Sequence, residues 1–286
     1  MNEFLQALAQ GFLVGSTYGL LALGMGLVYF VSGLVNFAHG DFVSLGMYLC
    51  LALFTALALD PYISLLITLP ALMAIGAATY HLLIRPIAGH HLLMVIQLTL
   101  GISLLIQNGL LMVFGGQYMR TPSVLEAKLL MLGPVVVRMP HVVACLASFG
   151  IALALFVVLR STEIGRAVRA VHQNARAAAL MGIDVGRIRM MTFAAGIGML
   201  AIAAALIVPG TPMHPSLGLR YTVITLIVVV LGGMTNFVGI MLAGLVIGIA
   251  EALGTIYLSD TLGMIMPYAI FVAIMLFRPQ GLLKSA

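Results

Sequence analysis

Four residues interrupt the apolar sequence in the stretch GLVNFAHGD: Asn36, His39, Gly40 and Asp41. A carboxylate at the centre of a bilayer costs about 2.5 to 3.5 kcal/mol on insertion scales, so this stretch must be solvated by partners. Two arrangements achieve this: an interfacial turn in which Asp41 caps the next helix, and a discontinuous helix at depth whose amides line a solute path. The helix N-terminus of the second arrangement favours an anionic group, and the surrounding Leu, Val and Met tolerate an aliphatic one.

A second group of polar side chains lies in the apolar run 92–114. Thr99, Ser103 and Gln107 recur every four residues and therefore share one face of a helix, and Gln97 is close to them in sequence. Such a face either packs against another helix through hydrogen bonds or lines a pore. We assign these four residues, with the polar residues of GLVNFAHGD, to a candidate solute path.

The common catalytic and nucleotide-binding patterns do not occur in the sequence. Lys128 and Lys284 follow Ala and Leu rather than the Gly of a phosphate-binding GxxxxGK[ST] loop, and HExxH, GxSxG and CxxC are missing. The six histidines besides His39 show no helical ligand spacing, and Cys50 and Cys145 show no paired spacing. We therefore expect no metal site, no cofactor and no catalytic activity in this chain.

The charged residues are concentrated in residues 160–189. This segment holds six arginines and two acidic residues, which is eight of the 21 formal charges (13 Lys and Arg, 8 Asp and Glu). On a helix, a basic stripe would lie opposite an apolar one: Arg166, Arg169, Gln173 and Arg176 against Val168, Val171, Ala175, Ala178 and Ala179. We predict a single amphipathic helix that Gly182 ends in the left-handed conformation. The helix either rests on anionic lipid or docks a cytoplasmic subunit, and the small residues of RAAALMG favour docking.

The rest of the sequence must supply the elements that position these residues. Hydrophobic residues make up 63% of the 286 residues and charged residues only 7%, a balance typical of membrane proteins. A helix needs about 20 apolar residues to cross the bilayer, and the alternation of barrel strands is missing. We therefore predict an all-α, polytopic transmembrane bundle of eight to nine segments. The apolar runs are 11–31, 42–59, 63–84, 92–114, 142–159, 190–208, 221–231, 237–258 and 262–277, and the short run 221–231 is a candidate half-span or re-entrant segment.

The basic residues also predict the orientation of the bundle. Because Lys and Arg are retained on the cytoplasmic side during insertion, residues 160–189, the loop after Arg85 and the tail from Arg278 should be cytoplasmic. Asp60 and residues 115–140 should then lie outside. The N-terminal residues lack the basic region and cleavage site of a secretory signal, so we expect the first helix to be retained. The retention of Lys and Arg on the cytoplasmic side also accounts for the net charge of +5, so we expect no nucleic-acid partner.

Glycines in two of the apolar runs permit close approach of helix backbones: Gly11, Gly15 and Gly19 in the first run, and Gly244 and Gly248 in the eighth. We interpret the first stripe as a helix-packing device, used either within this chain or against another membrane subunit. Glu251 follows the second stripe and either contributes to a pathway or caps the next loop.

Five stretches cover nearly the whole chain in order: YGLLALGMGLVYFVSGLVNFAHGDFVSLGMY, LTLGISLLIQN, TEIGRAVRAVHQNARAAALMGIDVGRIR, VLGGMTNFVGIMLAGLVIGIAE and FRPQGL. They resemble the permease subunit of ABC importers for branched-chain amino acids, the LivH type, whose related members import amides and urea. The resemblance implies one permease domain over residues 1–286, with 160–189 as the loop that couples it to ATPase subunits. ABC importers often show EAAxxxG in that loop. Here Arg176, Ala177, Ala178 and Gly182 have that spacing, with Arg in place of the acidic residue.

The resemblance also implies the cellular setting. The partners would be a second permease subunit, two ABC ATPase subunits and a periplasmic substrate-binding protein, in addition to the lipid of the inner membrane. The solute would be a branched-chain or other small neutral amino acid, and a urea or short-chain amide permease is the alternative within the family. An ion-coupled secondary transporter is less favoured, because only Asp41 and Glu251 are available to couple an ion gradient. An intramembrane enzyme built on Ser16, His39 and Asp41 has no motif to support it.

Overall fold

The computed structural model describes residues 2–87, 92–133 and 135–277, so part of the basic loop after Arg85 and the tail from Arg278 lie outside the described residues. Helices account for most of this part of the chain. Their bounds are α1 Asn2–Ser32, α2 His39–Leu57, α3 Pro61–Thr79, α4 Leu92–Phe114, α5 Met139–Ser161, α6 Glu163–Gln173, α7 Ala175–Leu180, α8 Val185–Ile207, α9 Leu217–Gly232, α10 Phe237–Tyr257 and α11 Asp260–Phe277. A π-helical turn, Tyr80–Ile84, and a 3-10 turn, Arg85–Ile87, extend α3, and the 3-10 turn Val208–Gly210 extends α8.

The predicted polytopic bundle is confirmed. Within the described residues, eight helices are long and apolar enough to cross a membrane: α1 to α5, α8, α10 and α11. The ninth apolar helix, α9, has 16 residues. At about 1.5 Å per residue it reaches about 24 Å, which is shorter than the bilayer core of about 30 Å, as expected from the short run in the sequence.

The bundle is organised around α1 and α8, most of whose residues are buried. α10 packs along α1, α3 along α8, and α2 contacts both α8 and α9. By contrast, α5 and α11 are mostly exposed, and their exposed side chains are largely apolar, such as Leu153 and Val272. Apolar side chains on the outside of the bundle are the surface that a hydrocarbon environment requires.

The two ends of the bundle carry different structures. A two-stranded antiparallel hairpin, β1 Leu129–Leu132 and β2 Val135–Arg138, which the sequence analysis did not anticipate, precedes α5. Gln6 near the start of α1 both donates to and accepts from the backbone of Val136, at 2.7 and 2.9 Å. Near the other end of α1, the carbonyl of Phe30 contacts His172 of α6. We call the end with the hairpin the outer end and the end with α6 and α7 the inner end.

Asp60 lies at the outer end, together with the segment between α4 and the hairpin. Its carboxylate caps α3 by accepting from the amide of Tyr62, and its other oxygen accepts from the hydroxyl of Ser123 and the amide of Val124. One side chain therefore starts a helix and fixes a loop 63 residues away in sequence.

The prediction of a single amphipathic helix in residues 160–189 is wrong, because the segment forms two helices. Asn174 adopts an extended conformation between α6 and α7, and its side-chain oxygen accepts from the amide of Ala177 at 3.0 Å. An Asn side chain competes well for such an N-cap position, which explains why the helix restarts there. Gly182 follows α7 with φ +84°, in the left-handed conformation predicted for it.

Candidate functional site

The start of α2 lies inside the bundle. α1 ends at Ser32, the chain turns back through residues 33–38, and α2 begins at His39. The ring of His39 is fully buried, and its Nε2 lies 3.0 Å from the carbonyl oxygen of Leu21. Leu21 lies 11 residues before the end of α1, which is about 16 Å along the helix. Because the His39 ring reaches Leu21, the start of α2 lies at about this distance inside the end of α1, within the length of one side chain.

Asn36 shapes the turn that leads into α2. Its side-chain oxygen accepts from the amide of Ala38 at 3.0 Å, so the turn is closed locally. Within the described part of the chain, Asn36 Nδ2 and His39 Nδ1 are buried polar atoms without a hydrogen-bond partner. Unpartnered buried polar atoms are costly, and they are common where a functional group or solute must be bound.

Asp41 does not cap α2, contrary to one of the two arrangements considered for it. Ala38 occupies the N-cap position, and the carboxylate of Asp41 instead accepts a hydrogen bond of 2.5 Å from the hydroxyl of Ser103 in α4. Both side chains are buried. The bond joins the first turn of α2 to the middle of α4.

Gly40 allows α2 to approach α9 closely. Its amide donates to the hydroxyl of Thr222 at 2.8 Å, and a Cβ atom at this position would collide with the carbonyl of Gly218. Thr222 also donates to the carbonyl of Phe37 at 3.3 Å. The start of α2 is thus held by polar contacts from α1, α4 and α9.

The polar residues of α4 are divided between different surroundings. Thr99 is buried and donates to the carbonyl of Ile96 in its own helix, whereas Gln97 is exposed and Gln107 half-buried. Of these four residues only Ser103 contacts the polar residues of α2 through a hydrogen bond among the described residues. The structure therefore brings together Asn36, His39, Gly40, Asp41 and Ser103, and it places Gln97 apart from them.

The three glycines of α1 lie against α10 of the same chain. A Cβ on Gly15 would lie 2.7 Å from the carbonyl oxygen of Gly244, and a Cβ on Gly11 would lie 2.8 Å from that of Gly248. Gly19 faces the side chain of Met241. The backbones of α1 and α10 are therefore in direct contact along about two turns.

The basic residues at the inner end differ in exposure. Arg166 is exposed and pairs with Glu163 at 3.2 Å, Arg169 is half-buried, and Arg176 is exposed. In α7, Ala177 is exposed while Ala178 is buried against the bundle. Leu180 and Met181, just after them, are 84% and 83% exposed. The tip of this segment therefore presents apolar and basic groups together.

A second polar cluster, at the outer half of the bundle, was missed by the sequence analysis. Arg220 Nη2 of α9 lies 2.6 Å from Glu251 Oε1 of α10, and the hydroxyl of Tyr18 in α1 donates to Glu251 Oε2 at 2.8 Å. The sequence left Glu251 undecided between a pathway group and a cap, and Arg220 was not among the candidate residues. A signal was available, since Arg220 is the only Lys or Arg between Arg189 and Arg278, and a carboxylate inside an apolar run requires a partner.

This cluster borders two cavities that share Val14, His141 and Gly210. The larger has a volume of about 470 Å³ and is lined by Glu251 and by Arg138 of the hairpin. The smaller has a volume of about 150 Å³ and is lined by Tyr18 and Arg220 together with apolar residues. Cavities of a few hundred cubic ångströms with a few polar groups on an apolar wall are typical of small-molecule sites.

The chain is similar to transport proteins of bacteria and archaea over almost its whole length. It is 28% identical to the high-affinity branched-chain amino acid transport system permease protein BraD of Pseudomonas aeruginosa, over 98% of this chain and 96% of the relative. It is 29% identical to the corresponding protein LivH of Escherichia coli, over 98% and 95% of the two chains. A probable branched-chain amino acid transport permease protein LivH of Methanocaldococcus jannaschii is 26% identical, over 92% of this chain and 87% of the relative.

No solved structure gave a significant match to the chain. The family model for the branched-chain amino acid transport system permease component matches residues 7–275. That match extends from the first turns of α1 to the end of α11 and includes both polar clusters. The chain therefore belongs to the family of branched-chain amino acid transport system permease components, and the membrane permease predicted from the sequence is confirmed.

Proposed function

We propose that this chain is the membrane-spanning subunit of an ABC importer in the inner membrane, and that it carries branched-chain and other small neutral amino acids inward. The observation that carries the proposal is the family match over a bundle of eight long apolar helices. Relatives named for branched-chain amino acid transport are similar to the chain over nearly its full length. The chain itself is a non-catalytic subunit, because it has no phosphate-binding loop to bind ATP.

The proposed assembly contains a second permease subunit, two ABC ATPase subunits and a periplasmic substrate-binding protein. Residues 1–286 form one permease domain within it. The hairpin and Asp60 face the periplasm, and residues 160–189 face the cytoplasm, where arginines are retained during insertion. The substrate-binding protein would meet the outer end, and the ATPases the inner end.

The α6 and α7 segment is the proposed contact for an ATPase subunit. Arg166 and Arg176 are exposed there, and Leu180 and Met181 offer apolar anchors beside them. Anchors of this kind, with small Ala177 and a Gly182 turn, suit insertion into a groove of another protein. His172 supports transmission, because its ring stacks on Phe30 of α1 with centroids 3.8 Å apart.

The polar start of α2 is the proposed inner part of the solute path. Asn36, His39 and Asp41 are buried, and the unpartnered Asn36 Nδ2 and His39 Nδ1 can bind a polar solute. Gly40 and Ser103 hold this start against α9 and α4. Thr99 is already buried, whereas Gln97 and Gln107 belong to the path only if α4 rotates in another state of the transport cycle.

Co-purification and transport measurements test the coupling. We expect Arg176→Glu and Arg169→Glu in the complete transporter to release the ATPase subunits or to abolish amino acid uptake, because reversed charge opposes the docking surface. Arg120→Glu, an exposed arginine of the outer segment, is the matched control and should retain the ATPase subunits. Retention of the ATPases and full uptake in both inner variants would show that α6 and α7 are not the contact.

The orientation has its own test. A maleimide that does not cross the membrane, added to intact spheroplasts, should label Val124→Cys and not Leu180→Cys, since the two side chains are 75% and 84% exposed at opposite ends. The reverse pattern would overturn the proposed sidedness. Uptake of urea or acetamide but not of leucine by the complete transporter would replace the proposed solute by an amide.

A further inference from the structure

The ion pair at the outer half of the bundle is unusual in its position. Among the described residues, Arg220 and Glu251 form the one ion pair within the apolar helices. Glu251 lies six residues before the end of α10, about 9 Å inside it, and Arg220 is in the first turn of α9. Their side chains are 37% and 13% exposed, and the exposed parts face the two cavities.

The two charges lie between the two cavities, with Glu251 lining the larger and Arg220 the smaller. The larger cavity, of about 470 Å³, contains Glu251 and reaches Arg138 and the hairpin at the outer end. The smaller, of about 150 Å³, lies beside Arg220 and has an aliphatic wall of Ala144, Leu206 and Ile207. A ligand seated at the pair would therefore place charged groups between Arg220 and Glu251 and an aliphatic group against this wall.

The chemistry of the pair selects the class of ligand. Separating two opposite charges in a poorly hydrated site is unfavourable unless each receives a new partner. A ligand with one charge satisfies one side chain and leaves the other unpaired, and a neutral amide fully satisfies neither. A zwitterion supplies an ammonium for the carboxylate and a carboxylate for the guanidinium, so the net charge of the site does not change.

We propose that Arg220 and Glu251 form a binding site for the zwitterionic head group of an aliphatic α-amino acid, which the ligand opens by replacing the ion pair. Glu251 accepts from the ammonium, Arg220 donates to the carboxylate in the bidentate manner of guanidinium groups, and the side chain lies against Ala144, Leu206 and Ile207. Tyr18 keeps the Glu251 carboxylate in place through its hydroxyl. After the solute leaves, the pair re-forms and closes the connection between the cavities. This inference rests on the proposed function, since it names where the transported solute binds in the outer half of the permease.

Protection of a cysteine in the larger cavity tests the site. In the assembled transporter without its substrate-binding protein, Ala252→Cys is introduced after Cys50→Ala and Cys145→Ala, and its rate of reaction with a small maleimide is measured. L-leucine is compared with leucinamide, which lacks the carboxylate, with 4-methylpentanoate, which lacks the ammonium, and with acetamide. At a leucine concentration about ten times its Kd, the labelling rate should fall about tenfold, while the other three compounds leave it nearly unchanged.

Variants distinguish loss of the binding site from loss of the fold. The pair Arg220→Gln with Glu251→Gln removes both charges and should abolish protection by leucine. Glu251→Gln alone keeps the shape of the side chain and a hydrogen-bond acceptor for Tyr18, and it should also lose protection, so it serves if the double variant does not assemble. Glu3→Gln, an exposed carboxylate near the outer end of α1, is the matched control and should retain protection.

Two results would overturn the site. One is equal protection by all four compounds, and the other is undiminished protection by leucine in Glu251→Gln. Absence of protection by leucine also overturns it when cells with the complete wild-type transporter import leucine, and the proposed function then stands without this site. If those cells import no branched-chain amino acid, the proposed function fails instead, whatever the labelling shows.

Discussion

Replacement of Gly15 by Ala should destabilise the protein, because its Cβ would meet the backbone of α10. The new atom would lie 2.7 Å from the carbonyl oxygen of Gly244 and 2.8 Å from Leu245 Cα, whereas ordinary contact begins at 3.4 Å. The two helices must therefore separate by about 0.7 Å, and neither obstacle is a side chain that can rotate away. Inserting such an atom into a packed interior costs about 1 to 3 kcal/mol.

An opposing effect must be included in this estimate. Within a helix, Ala is favoured over Gly by about 1 kcal/mol, so the net loss expected for Gly15→Ala is about 0 to 2 kcal/mol relative to the wild type. Gly150→Ala in α5 isolates the favourable part, because its Cβ would have no neighbour within 4 Å in the part of the chain that the structure describes. Gly244→Ala tests the same contact from the other helix, with its Cβ 2.6 Å from the amide nitrogen of Gly19.

To measure thermal stability, a fluorescent-protein fusion of each variant is heated in mild detergent, and the monodisperse protein that remains is measured by size-exclusion chromatography. We expect Gly150→Ala to lose the monodisperse peak at or above the wild-type temperature, and Gly15→Ala and Gly244→Ala to lose it several degrees below Gly150→Ala. If Gly15→Ala survives heating as well as Gly150→Ala, the close approach of α1 and α10 is refuted.

Three further predictions follow from individual side chains. Ser103→Ala removes the hydrogen bond to Asp41 and should lower stability by about 1 to 2 kcal/mol in the same assay, whereas Ser148→Ala removes a buried hydroxyl that has no partner among the described residues and should not lower it; equal stability of Ser103→Ala and wild type would contradict the contact. Asn174→Ala removes the cap of α7 and should cost that short helix about 1 kcal/mol, seen as faster proteolysis after Arg176, with Asn174→Asp, which retains an acceptor, cleaved at the wild-type rate. Asp60→Ala removes the carboxylate that binds Ser123 and Val124, so trypsin should cut faster after Arg120 and Lys128 than it does in Asp260→Ala; identical digestion would show that Asp60 does not hold this segment.

The helices could be predicted from the sequence because their signal is local. Each apolar run corresponds to one helix, and even the short length of α9 is visible as a run of 11 residues between Arg220 and Gly232. The restart at α7 was also within reach, because Asn174 is a strong N-cap residue, but the basic stripe continues across it at helical spacing. The basic stripe favoured one continuous helix and the Asn174 cap favoured a new helix start, and the cap determined the structure.

Pairings between distant residues could not be predicted in the same way. Arg220 and Glu251 are 31 residues apart on separate helices, and Tyr18 is 233 residues from Glu251. Their contact depends on how α1, α9 and α10 pack, which periodicity within one run does not specify. The hairpin was missed for a related reason. Residues 129–137 are apolar or Gly, and only the Gly133 turn and the pairing of Leu129 with Arg138 distinguish two short strands from an apolar loop.

The first helix connects the two faces of the protein as a single body. α1 has 31 residues and contains no proline, and it is attached near one end to the hairpin through Gln6 and near the other to α6 through the carbonyl of Phe30. Tyr18, which holds Glu251, lies between these attachments. A tilt of α1 imposed by α6 would therefore also move the outer end of the protein. The same movement would disturb the ion pair between Arg220 and Glu251.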